Sequence, residues 1–375
     1  MPFAQATDEV QRSQRTEVTE STLRGVTHRY GEMAEAIERA EAERIERERP
    51  QPTTTPERLL VSEDGAFIHL TTGEWREVKT MVIGEIESTW QEKAGEVVVK
   101  TKNLSYFSRS YKIREFERYA LAELHRRGLE NAKEVITVND GSQWIESFAD
   151  YHFPKAVRII DFRHATEYIA AAGKAALGED SAEFSAWFAH ITHQLKHKPP
   201  RQTIADICHL QTKVDSDDKL AIIDDARRYL QKREKMIDYP HFQAHGFPIG
   251  SGSVESSHKL VVQSRMKQSG MRWAEHHVDP MLALRNLVCN GRWSQGWSQI
   301  VAFYWQQRRQ EFHEQAKKQR PHLTRITFDS VMVAPDSAQP QPSEPVTKRD
   351  QPYRPAPDHP WRQGIWPTRE AWRWN

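Results

Sequence analysis

The chain has 375 residues, more than a single domain usually holds, and hydrophobic residues make up 38% of it, enough to form a buried core. Its net charge of +1 excludes nucleic-acid binding through bulk charge, so any such site must come from a local cluster of cations. The two cysteines, Cys208 and Cys289, exclude a disulfide-stapled scaffold and are typical of a reducing cytoplasm. No apolar run approaches the ~18 residues of a membrane span, so the sequence predicts a soluble cytoplasmic protein without a membrane partner.

The N-terminal region, residues 1–56, is charged and has helical spacing. Residues 19–33 fit the second helix of a helix-turn-helix, or equally a simple surface helix. Glu/Arg pairs four residues apart and few large apolar residues predict a solvated connector helix over residues 32–49. A Pro-rich run at residues 50–56 then predicts a domain boundary.

Short β-branched runs separated by turn residues predict strands in the first part of a core, residues 57–164. The predicted strands are residues 59–61, 66–70, 78–86, 134–139 and 157–160. The Asp64-Gly65 pair predicts a turn, with Asp64 where the first strand ends. The last two strands each end in an aspartate, Asp140 and Asp161, and a helix joins them. Carboxylates at the ends of strands in a mixed sheet predict a binding site there.

Apolar stripes at three- to four-residue spacing predict a helical insertion over residues 165–246, before the last part of the core at residues 247–330. After a Gly-rich turn, the chain from Val254 contains no Pro or Gly for about four helical turns. This pattern predicts a helix with Ser253 at its N-cap and Glu255 in its first turn, where a carboxylate suits the helix dipole.

The same segment is basic, and the tail that follows the core is rich in Pro and Trp. The cations predicted to contact DNA phosphates beside the acids are Lys259, Arg265, Lys267 and Arg272. The tail, residues 331–375, is predicted to be extended, and it either stacks on nucleic acid or docks on the protein's own surface.

Three acids that are far apart in sequence, Asp64, Asp140 and Glu255, each sit beside glycine at a predicted strand end or helix start. Such hard oxygen ligands suit Mg²⁺ or Mn²⁺, and two such ions support in-line phosphoryl transfer. The alternative interpretation is structural, because Asp-Gly turns are common in hairpins and an N-terminal Glu is common in helices.

Two stretches carry a family resemblance. DGSQWIESFADYHFPKAVRIIDFRHATEYI (residues 140–169) and GSGSVESSHKLVVQSRMKQSGMRW (residues 250–273) resemble bacterial insertion-sequence transposases of the DDE class, in the ISKra-type group. They are more distantly similar to Mutator-like transposases. The similarity runs from about residue 59 to residue 293, and HPWR at residues 359–362 resembles the family's tail.

The resemblance implies an α/β, RNase H-like mixed-sheet catalytic core with an all-helical insertion, a helical N-terminal extension and a Pro/Trp-rich C-terminal tail. Asp64, Asp140 and Glu255 match the three acids of the family, which implies that they hold two Mg²⁺ or Mn²⁺ ions. Asp161 and His164 match the D-x-x-H pattern after the second acid, which implies residues that support the metal site: His164 contacts a phosphate or the scissile strand, and Asp161 orients its ring. The structural alternative is a helix N-cap Asp followed by a structural His. Asp161 is also the alternative to Asp64 as a metal ligand.

The implied activity is cleavage of DNA at element ends and joining of the freed 3′-hydroxyl to target DNA, by a homodimer or larger assembly associated with the nucleoid. Family members carry an N-terminal Cys-rich segment, whereas this chain begins at a sequence, PFAQATDEV, that resembles the region just after it. The sequence therefore predicts an N-terminally shortened transposase. Two alternatives remain: an RNase H-like nuclease or resolvase without strand transfer, and an inactive DNA-binding remnant.

Overall fold

A five-stranded mixed sheet forms the centre of the structure, a computed structural model that describes residues 2–91 and 96–319. The strands are β1 (Arg58–His69), β2 (Trp75–Gln91), β3 (Glu96–Arg109), β4 (Glu134–Asn139) and β5 (Val157–Ile160). Their spatial order is β3-β2-β1-β4-β5; β1 pairs antiparallel with β2 and β2 with β3, whereas β1, β4 and β5 run parallel. The predicted α/β class with a mixed sheet is confirmed.

Helices make up most of the remaining described chain. In chain order they are α1 (Phe3–Gln14), α2 (Glu20–Glu48), α3 (Ile113–Arg126), α4 (Gln143–His152), α5 (Phe162–Leu177), α6 (Ala182–His197), α7 (Pro200–Leu210), α8 (Asp217–Lys232), α9 (Tyr239–Ala244), α10 (Gly252–Ser257), α11 (Ser264–Met266), α12 (Val278–Cys289) and α13 (Trp293–Gln319). A π-helical turn, His258–Gln263, joins α10 directly to α11. Residues 252–266 are called the Glu255 helix below.

Both faces of the sheet are covered by helices. On one face α2, α3 and α4 pack over β1 to β3, with Phe116 and Phe148 among the buried side chains. On the other face, helices α5 to α9 pack beside β4 and β5. The Glu255 helix and α12 pack on that face beside β1 and β2, through apolar residues such as Val262 and Leu282. Between β5 and the Glu255 helix the chain forms helices and no strand.

The first strand differs from the prediction. The predicted turn at Asp64-Gly65 is wrong, because β1 runs without a break and Gly65 pairs with Lys79 of β2. The chain turns instead around Gly73, which has the positive φ of 91° that glycine adopts without strain. Pairing with β2 therefore overrides the local turn signal. Strand β3 was not predicted at all.

The N-terminal helix also differs from the prediction of a solvated connector. Helix α2 buries Met33, Ala34, Ala42 and Ile45 and packs against α3 and α12. At Gly31 an added Cβ would lie 2.5 Å from the carbonyl oxygen of Pro280, so only glycine permits this close approach of α2 to α12. Small residues let the two helix backbones come into contact. Because much of the buried stripe of α2 consists of Gly and Ala, the small number of large apolar residues does not indicate that the helix is buried.

Residues Met1–Lys317 form one compact unit, so the predicted segments 1–56, 57–164, 165–246 and most of 247–330 are parts of it. The predicted tail at residues 331–375 lies outside the described residues. In the described part of the chain no helix is both long and apolar enough to cross a membrane.

Candidate active site

Three aspartates lie in one row across adjacent parallel strands. The last register pairs are Val61 with Thr137 between β1 and β4, and Asn139 with Ile160 between β4 and β5. Continued by three residues, the β1–β4 register puts Asp64 level with Asp140, the residue that follows β4. Asp161 follows β5 directly, and its N–H donates to the Asn139 carbonyl at 2.7 Å. Neighbouring strands are about 4.8 Å apart, so the sheet brings these three backbones together.

The Glu255 helix covers the same face of the sheet as Asp64. Side chains alternate along a strand, so Asp64 points to the same side as Ala66 and Ile68. Those two residues pack in one cluster with Val254 and Val261 of the Glu255 helix. The third predicted acid is thus brought to the face that carries the first, although the helical insertion separates them in the chain.

Asp64 meets a histidine that the sequence analysis did not single out. The side chain of His258 is buried, and its Nε2 lies 3.2 Å from Oδ2 of Asp64. The angle of this contact is not that of a hydrogen bond, and neither ring nitrogen of His258 has a hydrogen-bond partner among the described residues. The signal was present in the sequence, because His258 follows Glu255 by three residues, close to one turn.

Glu255 forms an ion pair with Arg163. Its Oε1 lies 3.1 Å from Nη1 of Arg163, in the first turn of α5, and both side chains are well exposed. The helix begins at Gly252 with Ser251 at the N-cap position, so the predicted N-cap Ser253 is wrong. The π turn that follows belongs to a type that is rare and frequent at functional sites.

Asp140 is held by the chain around it and by the helical insertion. Its Oδ1 accepts a hydrogen bond from the Ser142 N–H at 2.8 Å. The hydroxyl of Tyr229, on α8, donates a hydrogen bond to the Asp140 carbonyl at 2.6 Å. The guanidinium of Arg233, the residue after α8, donates one to the Gly141 carbonyl at 2.7 Å. Gly141 has a φ of 75°, and an added Cβ would lie 2.7 Å from Ile160, so glycine is required at this turn.

Asp161 has the structural role of a helix N-cap, the alternative to a supporting role at the metal site. It caps α5, with Oδ1 accepting from the N–H groups of Arg163 and His164, and its Oδ2 accepts from the Ser251 N–H. The Phe162 N–H also donates to the Ile249 carbonyl at 2.9 Å. Asp161 therefore fixes the loop that leads into the Glu255 helix. With both oxygens engaged and the side chain buried, it is a poor alternative to Asp64 as a metal ligand.

The predicted orientation of the His164 ring by Asp161 is wrong as well. Asp161 binds the backbone N–H of His164, whereas the ring Nδ1 lies 3.3 Å from Oε2 of Glu167 on the outer surface of α5. His164 remains close to the row of aspartates along the chain, but its imidazole is partnered by a residue of its own helix.

Of the four predicted DNA-binding cations, three are exposed and one is not. Lys259, Lys267 and Arg272 are exposed. Arg265 is buried, with its guanidinium carbon 4.8 Å from the ring centroid of Phe3 and 4.9 Å from that of Trp273. Burial, together with Arg285 and Arg24, lowers the pKa of Arg265. The assignment of Arg265 as a phosphate contact is therefore wrong, because its position on the helix faces the core.

A further acid lies directly behind the row. Glu63 points to the opposite face of β1 from Asp64, is buried, and has no hydrogen-bond partner at either carboxylate oxygen among the described residues. Burial raises the pKa of Glu63 to about 8, more than the nearby Asn139 and Thr137 side chains lower it. Those two side chains bond to each other, and Asn139 also accepts from the Glu63 backbone N–H. Glu63 is thus mostly neutral near pH 7.

The acids fit a divalent cation by the chemistry of their donors. Asp64 and Asp140 are level on adjacent strands, and Glu255 approaches from the helix on the same face. Carboxylate oxygens are the ligands that Mg²⁺ and Mn²⁺ prefer. In the described part of the chain no three Asp, Glu, His or Cys side chains are close enough together to hold an ion. Arg163 instead pairs with Glu255, and the ring of His258 lies against Asp64.

Two cavities lie away from the candidate site. They have volumes of about 480 and 510 Å³ and lie between α2 and α13, the first also bounded by α3 and α12, and none of the predicted site residues lines either of them. The first mixes arginines with glutamates and amides, so it does not offer a simple anion site. The candidate site is an open edge of the sheet, which suits a large substrate better than a small one.

Comparisons with known proteins identify no relative of this chain. The chain matches no protein-family model, and no curated protein is significantly similar to it.

Proposed function

We propose that this protein is a metal-dependent DDE transposase with an RNase H-like core. The strand order β3-β2-β1-β4-β5, antiparallel on one side of β1 and parallel on the other, supports that assignment of the fold. The proposal assigns the three acids to Asp64 on the central strand β1, Asp140 directly after β4, and Glu255 on a helix beyond the helical insertion, and this order of elements supports it.

One observation carries the proposal. Asp64 on β1 and Asp140 directly after the adjacent strand β4 lie at neighbouring positions, and the Glu255 helix packs on the face to which Asp64 points. Carboxylates that approach one another repel, so a bound cation would favour bringing these three together. The exposed Lys259, Lys267 and Arg272 provide cations for DNA phosphates on or just beyond that helix.

Asp64, Asp140 and Glu255 would hold Mg²⁺ or Mn²⁺, and the bound ions would activate the attacking oxygen and stabilise the leaving oxygen of a phosphodiester. Asp161 keeps the Glu255 helix in place through Ser251, and α8 keeps the Asp140 loop in place through Tyr229. A homodimer or larger assembly is part of the proposal, because two element ends must be brought together before strand transfer.

The test uses an end-labelled duplex that carries the inverted repeat flanking the coding sequence, a supercoiled target plasmid, and Mg²⁺ or Mn²⁺. We expect labelled DNA joined to the plasmid. Cut but unjoined DNA would identify a nuclease, and a mobility shift without products would identify a DNA-binding remnant. The Asp140→Asn variant serves as the matched inactive control, and undiminished products from it would overturn the proposed set of acids.

A further inference from the structure

Arg163 occupies an unusual position among the acids. It follows Asp161 by two residues, in the first turn of α5, and its side chain is 72% exposed. Its Nη1 lies 3.1 Å from Glu255 and its Nε lies 3.4 Å from Glu167. The guanidinium thus lies between the proposed third acid and the surface of α5.

The fold alone does not account for a cation at this point. The N-terminal end of a helix carries partial positive charge, so an arginine there is disfavoured, and the first turn of α5 contains no acid. An exposed ion pair such as Arg163–Glu255 contributes little to stability. It is also readily exchanged, because water screens it and both side chains are free to move.

A guanidinium is well suited to a phosphodiester. Its planar donors bind two phosphate oxygens at once, which a lysine cannot match. DNA that approaches Asp64, Asp140 and Glu255 brings phosphates toward three carboxylates, so a cation is needed among them. Arg265 is buried and cannot supply that charge, whereas Arg163 is exposed and already within reach of Glu255.

We propose that Arg163 binds a DNA phosphate at the candidate active site, and that Glu255 holds its guanidinium until DNA is present. This inference rests on the proposed function. Binding of DNA exchanges the carboxylate partner of Arg163 for a phosphate and frees Glu255 for a divalent cation. Arg163 therefore competes with the cation for Glu255 when DNA is absent and favours DNA when it is present.

The proposal predicts changes of opposite sign in two measurements on Arg163→Ala. Anisotropy of a labelled 30-bp duplex should show weaker binding, and the slope of log affinity against log salt should shrink by about one unit. Without DNA, Mn²⁺ binding followed by the electron paramagnetic resonance of the free ion should be about two- to five-fold tighter, because a competing exposed ion pair is lost. Arg163→Lys should keep the salt slope but slow cleavage.

The matched control is Arg201→Ala, which removes another exposed guanidinium, paired with Glu234 in the helical insertion. It should leave Mn²⁺ affinity unchanged. If Arg163→Ala behaves like this control in both measurements, Arg163 is only a surface ion pair and the proposal is overturned. If the wild-type protein binds neither DNA nor Mn²⁺, both the proposed function and this inference are overturned. Wild-type cleavage together with an unaffected Arg163→Ala variant would overturn this inference alone.

Discussion

Two groups of acidic residues lie beside different parts of the sheet, and they differ in how many arginines pair with them. Beside the edge strand β3, Glu38 binds Arg109, and Glu123 binds Arg126 at 2.8 Å and Arg292 at 2.6 Å. These five residues are called the β3 ion cluster. At the β1 and β4 side, Glu255 faces Arg163 and Asp64 faces the imidazole of His258, whereas Asp140 has no side-chain cation within ion-pair distance in the described chain.

The difference separates acids that hold the fold from acids that are available for chemistry. Arg109 and Glu123 are buried; the pair of Arg109 with Glu38 joins β3 to α2, and the pair of Glu123 with Arg292 joins α3 to the segment after α12. Burial alone would raise the pKa of Glu123, but Arg292 and Arg126 outweigh it and the pKa is lowered. Asp64 and Glu255 are open to solvent and to substrate. The same kind of substitution should therefore affect different properties in the two groups.

The largest expected effect is on catalysis. Replacing Asp64 by Asn or Glu255 by Gln should slow DNA cleavage by roughly 1,000-fold or more, since a metal ion supplies several kcal/mol of transition-state stabilisation. Urea denaturation of Glu255→Gln should show an unfolding free energy within about 1 kcal/mol of wild type, because only its exposed ion pair with Arg163 is lost. The matched Glu123→Gln variant should behave in the opposite way, less stable but with normal cleavage per folded molecule. Equal activity losses in both groups would remove the distinction between them.

Next in size is the effect on stability of opening the β3 ion cluster. Arg109→Met leaves Glu38 without its guanidinium partner and should lower the unfolding free energy by about 3–5 kcal/mol, as breaking a buried pair does. Arg109 is 1% exposed, so solvent cannot replace the lost contact. The measurement is urea denaturation at pH 7.

The control for this change is the double variant Arg109→Met/Glu38→Gln, which removes both charges and should recover part of the loss. A double variant that is less stable than Arg109→Met would show that charge pairing is not what the cluster contributes.

The smallest effect concerns pH. The lowered pKa of Glu123 means that its carboxylate stabilises the folded state above its unfolded pKa of about 4.5, and that this contribution is lost as the pH falls through the folded pKa. The difference in unfolding free energy between wild type and Glu123→Gln should therefore shrink below about pH 4.5, by at most about 1.4 kcal/mol per pH unit. Denaturation at pH 7 and at successively lower pH measures it. A difference that stays constant across this range would contradict the pairing of Glu123 with Arg126 and Arg292.

Much of the layout around the site could be predicted from sequence, because it depends on local signals. Strands β4 and β5 are short β-branched runs that end at Asp140 and Asp161, and both are present. The interval before Glu255 has helical periodicity and forms helices. In each case the pattern of neighbouring residues matches the structure that tertiary packing selects.

The remaining features depend on contacts between distant parts of the chain. The turn signal at Gly65 is real, but eleven register pairs with β2 make β1 continuous. A π turn joins α10 to α11, which a simple helical count does not predict. Such a count does place His258 and Arg265, seven residues apart, on one stripe with the buried Val254 and Val261, but their polar side chains favoured a surface position. The hydrogen bond from Ser251 to Asp161 joins residues 90 positions apart, which no local pattern reveals.

That last contact also sets an order of events during synthesis. Asp161 leaves the ribosome 90 residues ahead of Ser251, so at typical elongation rates its partner arrives roughly 5–20 s later. During this delay the nascent chain already contains Asp64 and Asp140 but has not yet made Glu255. Helices α5 to α9 emerge within that interval, and they must not hinder the return of the chain to Asp161. Any chain that terminates within these helices carries two of the three acids and no means of completing the site.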